Sequence, residues 1–391
     1  MDLAPFFSPV DFQNIGFDDK SYDVSLLVNN VCFFHPDNSV DLTDFEFAVI
    51  GVPESRNAYM NSSCSLAPDE IRSQFYRLYH WDREVKMVDL GNLIIGDMID
   101  DTYQVLSDIL AFLIENKIIP IILGGGNDLA YANYRAYEKL EHVVNIVAVD
   151  SRFDLGTDED SIRSDAYLSR IVLQQPNYLL NYANVGYQTY MNSPEKINFM
   201  AQLNFETFRV GTMRQDMEEV EPIVRNAEMM SIDISAVRRP DAPGNPLGSA
   251  NGFYGEEICQ IARYAGVSDK LSSFGVYEYD PTLDNAFQTA QLISHIIWYF
   301  VEGYTRRQDD ILFKDKSLYT RHTVAVSESN DELVFYCSKK TGRWWVVVPV
   351  INIKKDIEKK YFLPCSRKDY EMACADRIPE RWWRTYHKMN R

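Results

Sequence analysis

Four stretches of this chain end an apolar run in side chains that carry charge or can bind it. Gly124-Gly125-Gly126-Asn127-Asp128 follows one run and Asp150-Ser151-Arg152-Phe153-Asp154 another, Ser231-Ile232-Asp233-Ile234-Ser235 closes a third, and Glu278 ends a fourth. Carboxylate oxygens are hard donors, suited to a divalent ion such as Mg²⁺, Ca²⁺ or Mn²⁺. Arg152 works the other way. A guanidinium stays protonated and has no lone pair to give, and its planar fork pairs bidentately with carboxylates. Asp150, Arg152, Asp154 and Asp233 therefore fit either a small cation centre or a buried salt-bridge network that orders the loops. The glycines also fit a phosphate cradle at a helix N-terminus, but the Gly-Lys-Ser/Thr ending of a P-loop is missing.

These side chains need a scaffold that brings distant segments to one place. Apolar runs at 45–51, 85–90, 118–123, 143–150, 183–187, 207–211, 229–234 and 272–278 are near-continuous, as in strands covered on both faces of a parallel sheet. Helical spacing lies between many of them: Ile71, Phe75, Leu78 and Tyr79 within 68–81, Val105, Ile109, Phe112 and Leu113 within 101–114, and further stretches at 254–264 and 283–300. Strand alternating with helix predicts an α/β layer fold. In such sheets ligands bind beyond the carboxyl ends of the strands, where the charged stretches fall. Tyr131, Tyr134 and Tyr137 recur at helical spacing and read as packing. Residues 1–43 read as an N-terminal extension, 44–309 as the α/β domain and 310–391 as an addition packed on it. Within that addition, 333–338 and 343–350 flank Lys339-Lys340-Thr341-Gly342 as a β-hairpin. A helical tail follows, whose Trp382-Trp383 pair is expected to cover core.

The bulk numbers narrow the function classes. A chain of 391 residues, 46% hydrophobic and 25% charged, can bury a large core. Its net charge of −18 argues against nucleic acid and anionic membrane partners, which are held mainly by Lys and Arg. No basic stretch followed by an apolar run opens the sequence, and the best candidate span, 292–301, is short and interrupted by Ser294 and His295. The six cysteines are scattered without a Cys-x-x-Cys pair and read as reduced thiols, mostly buried, of a cytoplasmic protein.

The order of motifs resembles the ureohydrolase family of arginase, agmatinase and formimidoylglutamase. Gly51-Val52-Pro53 and Ala67-Pro68-Asp69-Glu70-Ile71-Arg72 resemble its Gly-Pro-x-x-Ile-Arg opening, and Asp89-Leu90-Gly91-Asn92 its Asp-x-Gly-Asp. Gly124–Asp128 resembles the Gly-Gly-Gly-His-Glu of the formimidoylglutamase group, and Asp150–Leu155 its Asp-Ala-His-Phe-Asp-Leu. Asp233-Ile234-Ser235 with Ala242-Pro243-Gly244 stands for Asp-x-Asp and a Pro-Gly loop, and Glu278-Tyr279-Asp280-Pro281-x-x-Asp284 for Glu-x-Asn-Pro-x-x-Asp. The match covers about residues 45–305. It implies the arginase-like three-layer α/β/α fold, a mainly parallel sheet of about eight strands, and assembly into a homo-oligomer.

The resemblance also implies a two-manganese centre built from two histidines and four aspartates, and here the pattern departs. The six positions become Asn127, Asp150, Arg152, Asp154, Asp233 and Ser235. One ion would keep Asp150, Asp154 and Asp233, with Asn127 in a histidine's place. The other would keep two aspartates and meet Arg152 and Ser235, neither a fitting donor. Three aspartates and one guanidinium leave a local charge of −2, which suits one divalent cation (Mn²⁺ or Mg²⁺), a cationic ligand, or no ion and extra hydrogen bonds. Two expectations follow. In the first, a degenerate centre binds a small guanidino or formimino ligand, or a protein partner, without standard hydrolysis. In the second, a single ion supports hydrolysis of a linear amidine C–N bond. Arg152, Glu278 and Asp128 would then be the catalytic candidates, with Glu278, Asn127 and Ser235 against substrate. Asp158-Glu159-Asp160 reads as a solvated loop.

Overall fold

The computed structural model describes residues 3–17, 23–37, 41–156, 162–310, 315–327, 332–352 and 357–390; the acidic loop at 158–160 lies outside them. A central sheet of ten strands organises the chain. In chain order these are β1 (Phe7–Ser8), β2 (Cys32–Phe33), β3 (Phe47–Gly51), β4 (Met87–Leu93), β5 (Ile119–Leu123), β6 (Val144–Val149), β7 (Leu179–Tyr187), β8 (Glu206–Arg209), β9 (Met229–Asp233) and β10 (Ser273–Tyr277). Spatially they run β1-β4-β3-β5-β10-β9-β6-β7-β8, with β2 also beside β4. All pairings are parallel except β1 with β4. Each of the eight apolar runs forms a strand. The extra two, β1 and β2, come from the stretch before residue 44 and are too short to show an apolar pattern.

Alternation along the strands builds two cores, one on each face. Phe47 and Val49 of β3 face one core, and Ala48 and Ile50 the other. Helices α1 (Ala67–Phe75), α8 (Gly255–Val267) and α9 (Gln288–Thr305) cover the first face. Helices α2 (Ile99–Glu115), α3 (Leu129–Lys139) and α4 (Tyr167–Leu173) cover the second. Between α4 and α8 lie α5 (Pro194–Gln202), α6 (Val210–Gln215) and α7 (Val220–Arg225). The apolar stripes are the cause of the layers: Leu106, Ile109, Leu110 and Leu113 of α2, and Ile293, Ile296, Ile297 and Phe300 of α9, are all buried. Truncating a fully buried ring such as Phe300 to alanine costs about 3–5 kcal/mol.

The expected hairpin is the middle of something larger. Strands β11 (Tyr319–Ala325), β12 (Glu332–Ser338), β13 (Trp344–Asn352) and β14 (Ile357–Cys365) form a four-stranded antiparallel sheet. Alternation in β11 and β14 is masked by charged and polar residues, so neither reads as a strand. Helices α10 (Arg367–Cys374) and α11 (Glu380–Met389) close this layer. Ser366 caps α10 by accepting from the Asp369 N–H, while Asp369 accepts from the Ser366 N–H, a reciprocal capping box. Trp382 is buried and donates to the Val347 carbonyl at 2.8 Å, whereas Trp383 is 37% exposed. Among the described residues no helix is long and apolar enough to cross a membrane.

Candidate metal centre

Neighbouring strands β5, β10, β9 and β6 all run the same way, so their carboxyl ends release four loops at one place. Asp150 follows β6 directly, Asp233 ends β9, Glu278 follows β10, and Asn127 lies in the glycine turn after β5. That turn passes tightly under the loop after β3: a Cβ on Gly125 would lie 1.8 Å from the Glu54 carbonyl oxygen, which only glycine avoids. Asp154 (φ +43°) and Glu278 (φ +65°) both adopt left-handed backbone. For residues other than glycine this costs about 1–3 kcal/mol each, a cost that clusters at functional sites.

Asp150, Asp154 and Asp233 each present an oxygen, and the three lie within 4.8 Å of one another. All are buried. Asp150 Oδ1 accepts from the Arg152 N–H at 2.8 Å, Asp233 Oδ1 from the Ser235 N–H at 2.7 Å, and Asp154 Oδ2 from Asn127 Nδ2 at 3.0 Å. Asp150 Oδ2 has no partner. Burial raises all three above the ordinary carboxylate range, and Asp150 pushes Asp154 and Asp233 up further. Three converging buried carboxylates with an unused oxygen fit one oxygen-ligated divalent ion. The neighbouring position of the family pattern does not fit a second: Arg152 has no lone pair, and Ser235 Oγ is turned to Ser151 Oγ at 3.2 Å.

Two side chains stand differently from the sequence expectation. Asn127 was expected to offer an amide oxygen to the ion, but its Oδ1 accepts from Ser231 Oγ at 3.0 Å while its Nδ2 holds Asp154. The amide is spent on orienting a carboxylate because both of its ends have nearer protein partners. Arg152 was expected to pair with the aspartates, yet among the described residues its guanidinium makes no ion pair, and its buried Nη1 is without a partner. It acts on Asp150 at longer range, pulling its carboxyl down against burial.

Asp128 lies apart from the three aspartates. Its Oδ2 accepts from Tyr103 OH at 2.6 Å, which in turn accepts from Asn57 Nδ2 at 2.9 Å. Burial pushes the Asp128 carboxyl up to about 7. Glu278 is 3% exposed, with burial raising its carboxyl; Oε1 accepts from the Asn127 N–H at 2.9 Å and Oε2 from Asn61 Nδ2 at 2.8 Å. Asn61 and Asn245 also donate to the Glu278 carbonyl, at 3.1 and 2.7 Å. Sequence reasoning missed Asn61 and Asn245, because an asparagine in a loop carries no spacing signal. Tyr167 and Tyr182, buried near Asp154 and Asp150 with unpartnered hydroxyls, were missed for the opposite reason: each sits inside an apolar pattern.

Comparison with known proteins places the fold. Residues 45–302 match the arginase family. The formimidoylglutamase of Bacillus subtilis is 22% identical over 278 residues, 66% of this chain and 86% of that enzyme. A crystal structure of formimidoylglutamase from the same species superposes with a TM-score of 0.65 at 20% identity, covering 75% of this chain and 95% of that one. A crystal structure of Trypanosoma cruzi formiminoglutamase with Mn²⁺ gives a TM-score of 0.64 at 16% identity, covering 72% and 99%.

Proposed function

The chain belongs to the arginase family, and from that premise we propose that it is a formimidoylglutamase-like homologue that binds one divalent cation and does not run two-metal hydrolysis. Asp150, Asp154 and Asp233 hold the ion, Mn²⁺ or Mg²⁺ by the chemistry of their oxygens. The observation that carries this reading is the pairing of three converging buried carboxylates with Arg152 and Ser235 at the adjoining position. When bound, the ion supplies positive charge to a polar ligand group. Asn127 fixes the angle of Asp154, the Arg152 and Ser235 N–H groups fix Asp150 and Asp233, and Glu278 faces the ligand.

The charge balance selects the ligand. Three aspartates and Glu278 bring −4, and one divalent ion with Arg152 returns +3, so the remaining −1 favours a small cation of the guanidino or formimino class. The name of the relatives, formimidoylglutamase, supports the same class. Hydrolysis of a linear amidine with the single ion is the second reading, supported by that name alone. The test loads the full chain with Mn²⁺, measures binding of agmatine and N-formimino-glutamate by calorimetry, and follows release of urea from the first and of formamide from the second. Saturable binding without turnover is expected. Turnover at the rates of a two-metal enzyme would overturn the proposal. Replacing both misfit residues, Arg152→His with Ser235→Asp, is expected to add a second ion.

A further inference from the structure

Asn61 is 1% exposed and its amide is fixed from one side only. Nδ2 donates to Glu278 Oε2 at 2.8 Å and to the Glu278 carbonyl at 3.1 Å, which sets the orientation of the amide without ambiguity. The other end, Oδ1, is buried and has no hydrogen-bond partner. A buried polar atom left unmet costs about 1–3 kcal/mol, so a native site keeps one only with a compensating use. Backbone strain accompanies it: Met60, just before Asn61, and Glu278 itself both have left-handed backbone, at φ +57° and +65°. The two strained segments come from the ends of β3 and β10, which are separated by β5 in the sheet and meet above the glycine turn.

We propose that Asn61 is a specificity-determining residue that forms, with the Glu278 carboxylate, a two-acceptor clamp for the N–H groups of a planar cation. The inference rests on the ligand class proposed above and adds the residue that reads it. The Glu278 carboxylate already takes the Asn127 N–H, the Asn61 amide and the Ser164 hydroxyl, whereas Asn61 Oδ1 keeps both of its lone pairs. The 2.8 Å hydrogen bond from Asn61 Nδ2 to Glu278 Oε2 ties the amide that carries the free Oδ1 to the carboxylate. Amidinium and guanidinium present two parallel N–H groups in a plane and can meet both. A tetraalkylammonium of the same charge has no N–H and can meet neither. Asn61 also positions Glu278, since its Nδ2 anchors both the carboxylate and the carbonyl of that residue.

The test is calorimetric titration of the full chain with formamidine hydrochloride, guanidine hydrochloride and tetramethylammonium chloride at millimolar concentration. Wild type, Asn61→Ala and Glu278→Gln are compared, and thermal melting with far-ultraviolet dichroism verifies that each is folded. Wild type is expected to bind the two planar cations at least tenfold more tightly than tetramethylammonium. Asn61→Ala is expected to lose that tenfold preference, and Asn61→Asp, which keeps the shape if the alanine variant is unfolded, to lose it as well by turning an oxygen to Glu278. Undiminished preference in folded Asn61→Ala, with binding lost in Glu278→Gln, would overturn the clamp and leave the ligand class standing. Absence of any planar-cation binding in wild type would overturn both.

Discussion

The two ends of the central sheet treat charge in opposite ways. At the carboxyl ends of β5, β6, β9 and β10, three buried aspartates converge without a paired cation among the described residues, and Asn61 Oδ1, Asp128 Oδ1, Asp150 Oδ2 and Arg152 Nη1 all lack partners. At the amino ends, where the C-terminal sheet docks, the buried arginines are ion-paired, although Arg225 Nη1 and Asn145 Oδ1 also lack partners. Arg225 donates to Glu221 at 2.8 Å and to the carbonyls of Trp344 and Cys365 at 3.1 and 3.3 Å, and its guanidinium lies 4.5 Å over the Trp345 ring. Arg381 is 3.1 Å from both Glu219 and Asp369, and Tyr361 donates to Asn226 at 2.9 Å. A matched seam is what folding alone selects, because breaking a buried pair is costly. On the function proposed above, the unmatched end keeps its charge for the bound ion. The C-terminal addition therefore serves the scaffold end of the molecule, away from the three aspartates.

The contrast can be broken at either end, and the largest effect is expected at the seam. Arg225→Ala leaves two strand carbonyls unmet and removes the cation over Trp345, while Arg343 still pairs with Glu221 at 3.3 Å, so denaturant unfolding is expected to show a loss of about 3–5 kcal/mol with unchanged Mn²⁺ affinity. A weakened ion affinity in that variant would mean that the two ends are coupled. Asp154→Ala is expected to do the reverse: Mn²⁺ binding falls at least about 100-fold, equivalent to about 2.7 kcal/mol, while the ion-free protein melts no lower than wild type. If Asp154→Ala bound Mn²⁺ normally, the assignment of the centre would be wrong.

A pH series on ion-free protein sharpens the same point. Folding raises the carboxyls of Asp150, Asp154, Asp233 and Asp128, the last to about 7. Groups raised on folding contribute stability that is complete below the unfolded carboxylate range and is lost as pH climbs through the raised values. Ion-free protein is expected to lose of order 2 kcal/mol between pH of about 5 and about 8, and Mn²⁺ to restore it by favouring the charged carboxylates. A melting temperature flat across that window would contradict the picture. The smallest effect is reserved for Trp383→Ala on the exposed face of α11, expected to change stability by less than about 0.5–1 kcal/mol; a larger loss would show that this ring is covered in solution.

Much of the scaffold was legible because strand burial writes itself into composition. β6, with Val144, Ile146, Val147, Ala148 and Val149, has both faces covered, so Asn145 alone interrupts its apolar run. β11 was not legible, since Arg321 and His322 interrupt its pattern on a half-solvated sheet. Within the centre, the aspartates and Arg152 were legible from their spacing after strands. What those side chains touch was not. Asn127 and Ser231 are 104 residues apart, and Asn61 and Glu278 are 217 apart; only the parallel topology joins them. The amide of Asn127 reads equally as a ligand or as a support until Ser231 is seen beside it.

The central claim is that this end of the sheet holds one cation where the family pattern holds two. Elemental analysis of the full chain, purified without chelator and then equilibrated with Mn²⁺ and separately with Mg²⁺, measures it directly. The account predicts one ion per chain, lost in Asp154→Ala. Two ions per chain would contradict it by showing that Arg152 and Ser235 do not close the second position, and none would contradict it by showing that the three aspartates are satisfied without a metal.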